Sequence, residues 1–158
     1  MSRFKRSLIG CACAAALIAA VLVIAIPRFL AAYQRSHFRR CLGDMRTIGS
    51  AIEAYEKAHG TLPPLQGRQP VRNLAPYLVP SYIRVLPATD AWNQPFLFRF
   101  TSSSYEVWSL GSDGRDGPNQ VDGPTDGWEA DVVFRNGLFV RYPGFVHHLV
   151  AVPARGAT

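Results

Sequence analysis

Nineteen consecutive residues without a charge, residues 8–26, constrain this chain more than anything else in it. As a helix at about 1.5 Å per residue, such a run just crosses a hydrocarbon core of about 30 Å, so a single membrane crossing is the expected role. A cleaved signal peptide shares the basic flank and the N-terminal apolar run. This run, however, exceeds the apolar stretch of about 7–15 residues usual in a signal, and no Ala-x-Ala site follows it before the charges return, which favours an uncleaved anchor over cleavage. The Leu8-Ile9-Gly10-Cys11 box lacks the preceding apolar stretch of a lipoprotein signal. Basic residues stand on both sides of the run, Arg3, Lys5 and Arg6 before it and Arg28, Arg35, Arg39 and Arg40 after it, so charge does not fix the orientation. A short tail inside and the domain outside is the simpler arrangement.

These flanking arginines and lysines account for much of the formal charge of +6. Their clustering fits anionic lipid headgroups rather than a nucleic-acid-reading face, and no aromatic and basic interleaving of an RNA-binding sheet occurs, so nucleic acid is not an expected partner. Outside the anchor roughly 100 residues remain to fold in water, enough for one modest core. Cys11 and Cys13 lie in the apolar run and only Cys41 lies outside it, which leaves no pair for a disulfide within the domain.

Beyond Pro27 an apolar stripe continues through Leu30, Tyr33, Cys41, Met45, Ile48, Ile52 and Tyr55 at spacings built from threes and fours, the pattern of an amphipathic helix over residues 28–59. Pro27 is expected to kink this helix rather than end it. Gly60 and the Pro63-Pro64 pair stop it. Residues 71–78 read as a short second helix, followed by a proline-punctuated stretch over 80–87. Residues 95–100 and 105–110 then read as a hairpin across a Thr-Ser-Ser-Ser turn. Residues 132–135 and 138–141 form another across Asn136-Gly137, a pair suited to a type I′ turn. The expected fold is therefore α+β, a long helix packed on a small antiparallel sheet of two hairpins. The organisation is a basic tail (1–7), a transmembrane helix (8–26), a soluble domain (27–146, sheet 95–141) and a tail expected to be disordered (147–158).

Between the hairpins lie six of the eleven acidic residues, Asp113, Asp116, Asp122, Asp126, Glu129 and Asp131, mixed with glycines. Either a hard cation gathers their oxygens or the segment is a solvated, turn-rich connection. The spacing is not that of an EF-hand. Nothing resembles a nucleophile elbow, a zinc-spaced His/Cys set or a phosphate loop, and nothing gives His147 or Ser102, Ser103 and Ser104 a third catalytic group, so no enzyme and no small-molecule substrate are expected. Trp92, Trp108 and Trp128 read as core or turn residues.

Over residues 24–133 the chain resembles the pilin-like proteins, most closely the major pseudopilins of type II secretion systems. The resemblance rests on the apolar segment ending at Pro27, the helix from Met45 through Ile48, Gly49 and Ile52 to Tyr55, and the stop at Gly60-Thr61-Leu62-Pro63. It continues through Leu78-Val79-Pro80-Ser81-Tyr82-Ile83, the turn Asp90-Ala91-Trp92-Asn93-Gln94-Pro95, Ser109-Leu110-Gly111-Ser112-Asp113-Gly114 and Ala130-Asp131-Val132. It implies a pilin-like fold, a non-catalytic subunit or accessory component of a secretion or type IV pilus-related apparatus, and a single-pass inner-membrane location with the domain in the periplasm. The implied partners are lipid and other pilin-like subunits. It also implies calcium, held by the Leu110 carbonyl and the carboxylates of Asp113, Asp126 and Asp131. Two features of the family's N-terminus are missing: aligned on Pro27, Gly10 stands where the family has a glutamate, and Lys5 where it has the glycine before the cleavage point. A tethered periplasmic binding module that does not polymerise is the alternative.

Overall fold

The computed structural model describes residues 3–117, 122–125, 127, 129 and 131–146, with side chains from residue 16 to 145 of these. The chain divides into two compact units, Met1–Ser36 and His37–Thr158. Helix α1, Arg3–His59, runs through Pro27 without a break. It ends as its sequence requires. Gly60 takes the left-handed conformation (φ 73°) and its N–H bonds to the Glu56 carbonyl at 2.7 Å, while Lys57 and His59 place basic groups in the last turn. The expected short second helix is a 3-10 turn, Val71–Leu74, running into α2, Ala75–Leu78.

In the second unit, Phe38, Cys41, Leu42, Met45, Ile48, Ala51 and Ile52 are buried along one face of α1, at steps of three and four. Leu30 and Tyr33, expected on the same stripe, are instead exposed. The buried stripe starts only at Phe38, because the apolar groups of the sheet pack with Phe38 and the residues after it.

Among the described residues the sheet has six strands rather than the four of two hairpins: β1 Arg68–Pro70, β2 Leu97–Phe100, β3 Tyr105–Ser109, β4 Gly123–Thr125, β5 Val132–Arg135 and β6 Leu138–Pro143, in the order β1-β2-β3-β5-β6-β4. Both expected hairpins, β2–β3 and β5–β6, are present. The sheet is mixed because β4, drawn from the acidic segment, pairs parallel to β6, while all other pairs are antiparallel. At Asn136-Gly137 both residues have positive φ (47° and 83°), as a type I′ turn demands, and the Asn136 side-chain oxygen accepts the Tyr105 N–H at 2.9 Å.

Alternation along the strands separates two faces. Phe98, Phe100, Tyr105, Val107, Val132, Phe134 and Phe139 join the helix stripe in the core, with Phe96 just before β2. Gly49 lets the layers meet. A Cβ at this position would come within 2.4 Å of the Phe134 ring and 2.8 Å of the Tyr105 hydroxyl.

Candidate functional site

Two regions carry function-bearing chemistry. In the first unit, Leu17, Ile18, Val21, Leu22, Val23, Ile24, Ile26, Phe29 and Leu30 are all at least half exposed or close to it, from 49% for Leu22 to 72% for Val23. Among the described residues this is the one helix long and apolar enough to cross a membrane, and the membrane-length window has none of its residues buried. Core helices of soluble proteins bury such a surface; here the apolar groups require lipid or another chain.

The second region is the outer face of the sheet and the acidic segment beside it. Pairing places Arg99 of β2 opposite Glu106 of β3, and Glu106 opposite Arg135 of β5. Glu106 is buried and accepts hydrogen bonds from Arg99 Nη2 (2.7 Å) and Arg135 Nε (2.7 Å). Burial pulls its carboxyl up, but the two guanidinium groups outweigh that and hold it below the ordinary carboxylate value. Arg135 reaches on to Asp122 at 2.8 Å. Arg68 of β1 pairs with Asp116 through two hydrogen bonds. Trp108 lies among these cations, its ring 4.4 Å from the Arg68 guanidinium and 5.6 Å from that of Arg141. Like-charge crowding in the acidic segment is thus relieved in part by arginines from the strands.

Of the four expected ligands, Leu110 directly follows β3 and is half-buried. Asp113 is exposed, and one carboxylate oxygen accepts the Arg115 N–H at 3.1 Å in a local turn. Asp126, like Trp128 and the tail 147–158, lies outside the described residues. Asp131, directly before β5, is buried at 4% exposure. Its Oδ2 accepts the Gly117 N–H at 3.0 Å and stands 3.7 Å from Arg141 Nη1, while Oδ1 is buried with no hydrogen-bond partner. Burial raises the Asp131 carboxyl above its ordinary value. The charges of Asp116 and Asp113 add to that rise, and the Gly117 N–H and Arg141 oppose it.

That coupling places Asp113, Asp116 and Asp131 in one electrostatic neighbourhood. Among the described residues, however, no three Asp, Glu, His or Cys side chains converge as a ready metal cluster. A buried, unpartnered carboxylate oxygen beside a glycine-rich turn still suits a hard cation that draws its remaining ligands from carbonyls and water. Sequence reasoning missed Arg141, Arg68 and Gly117. Arg68 sits on a strand whose partner, β2, lies far away in sequence, and the burial of Arg141 beside Asp131 comes from the folded hairpin rather than from any sequence pattern. Gly117 is marked by its surroundings, because a Cβ there would stand 3.2 Å from Asp131 Oδ2.

A membrane-length apolar helix that continues into the core-forming helix of an α+β domain defines a pilin-like protein. More narrowly, the chain belongs to the family of type II secretion system (T2SS) protein G, whose model matches residues 28–128. It is 22% identical over 116 residues to the type II secretion system core protein G of Pseudomonas aeruginosa, a match spanning 67% of this chain and 81% of that protein. No solved structure matches the chain significantly.

Proposed function

We propose that this pseudopilin-like subunit of type II secretion is non-catalytic, is held in the inner membrane by its apolar helix with the domain in the periplasm, and carries a calcium-binding loop. The exposed apolar surface from Leu17 to Leu30, in a chain of this family, carries the reading most directly. A surface of that size is stable in water only when lipid or neighbouring helices cover it. The Leu110 carbonyl and the carboxylates of Asp113, Asp126 and Asp131 would hold the calcium, which would add a divalent charge to the acidic segment. Asp131 is the best supported of the four, since its Oδ1 is buried and unpartnered.

Removing calcium should lower the melting temperature of the protein. An unchanged melt in chelator, with no calcium found by elemental analysis, would sink the calcium reading.

A non-polymerising tether is the second reading. It is favoured by one observation: no acidic residue occurs before Asp44, so the stem has no carboxylate to pair with a neighbour's N-terminus. Cysteine crosslinking in membranes separates the two readings. A ladder of multimers supports assembly, and monomer alone supports the tether.

A further inference from the structure

Asp131 and Arg141 are the most deeply buried opposite charges on the outer side of the sheet, with side-chain exposures of 2% and 3%. They sit at the two ends of the β5–β6 hairpin, one before β5 and the other within β6, where Arg141 pairs with Val133 in the antiparallel ladder and with Gly123 in the parallel one. The backbone of Arg141 is therefore held between two neighbouring strands, and its buried guanidinium lies 5.6 Å from the Trp108 ring. Its guanidinium stands on the Oδ2 side, the same oxygen that takes the Gly117 N–H, and leaves Oδ1 without a hydrogen-bond partner.

We propose that Arg141 is a built-in counter-cation for the calcium ligand Asp131: it compensates this carboxylate from the Oδ2 side when no metal is bound, and it weakens divalent binding through Oδ1. The inference rests on the calcium reading above. Two cations sharing one buried carboxylate repel each other, so the guanidinium stabilises Asp131 in the metal-free protein and competes with the metal through space.

The test uses the full chain in detergent, with melting followed by circular dichroism in chelator and in calcium, and calcium affinity measured by titration calorimetry. Wild type should melt cooperatively in chelator and gain only a little from calcium. Arg141→Gln should melt lower than wild type in chelator, recover in calcium, and bind calcium about tenfold or more tightly, because a nearby unit charge has been removed. Arg141→Lys, which keeps the charge, should follow wild type. Equal calcium affinity in wild type and Arg141→Gln overturns the role of Arg141 while leaving the calcium reading intact. Calcium binding to neither protein overturns the calcium reading itself, and the competition falls with it. Should Arg141→Gln fold in neither buffer, the double variant Asp131→Asn/Arg141→Gln decides. Its folding without calcium supports charge compensation between the two residues, and its failure to fold overturns it.

Discussion

The two ends of α1 are alike in being helical and rich in apolar side chains, yet they meet opposite fates. Residues 17–30 leave their large apolar groups exposed, whereas residues 38–52 bury a stripe completely. The difference is in arrangement and partner. Apolar residues surround the helix in the first stretch, which suits an all-round apolar solvent. In the second they alternate with Arg39, Arg46 and Glu53, which suits one apolar wall, and β2, β3, β5 and β6 supply that wall. Burial along a helix is thus decided by what stands opposite, and the sequence announces which kind of partner to expect.

The largest expected effect breaks the first half alone. Ile18→Arg combined with Leu22→Arg should cost insertion about 5–7 kcal/mol and release the full chain from pelleted membranes in a carbonate wash, with the domain's melting temperature unchanged. Retention of the double variant in the membrane would refute the anchor. Ile48→Ala, in the second half, should do the reverse, lowering domain stability by about 2–5 kcal/mol in chemical denaturation without altering membrane retention.

The wall opposite the helix is open to test as well. Glu106→Gln should cost about 1–3 kcal/mol, discounted because Arg99 and Arg135 are partly exposed. Its folded pKa is depressed, so the stability it confers is fully present above the unfolded value near 4.5 and is lost as pH falls through the folded value. The gap between wild type and Glu106→Gln should therefore close on acidification; a gap that stayed constant with pH would exclude the charge as its cause. The smallest effect compares two glycines on the same helix. A Cβ added at Gly43 would meet nothing within 4 Å, and Gly43→Ala should stabilise by about 0.5–1 kcal/mol through helix propensity. Gly49→Ala should destabilise by about 1–3 kcal/mol because Phe134 and Tyr105 must move. Equal effects at the two positions would mean that the sheet yields more readily than its packing implies.

Local patterns were the legible part of the fold. The helix stripe from Cys41 to Ile52 and both hairpins follow from periods of three to four and of two, and Asn136-Gly137 announces its turn. What pairing alone creates was not legible. β1 and β4 are three residues each, contain proline, and show no alternation to mark them. The ion row of Arg99, Glu106 and Arg135 draws on residues up to 36 positions apart, joined only by strand register. At the loop, composition pointed to carboxylates and the family resemblance selected four ligands. Neither indicated that Asp131 is buried beside Arg141, because burial and opposition belong to the folded hairpin.

The two edge strands, β1 and β4, have a consequence for how two such sheets could meet. Each exposed margin of the sheet ends in a strand too short to template another and interrupted by a residue with no N–H to donate, Pro70 on one side and Pro124 on the other. Two such sheets are thereby discouraged from zipping edge to edge into amyloid-like stacks, and an ordered meeting between copies would be diverted to surfaces other than the backbone of the sheet.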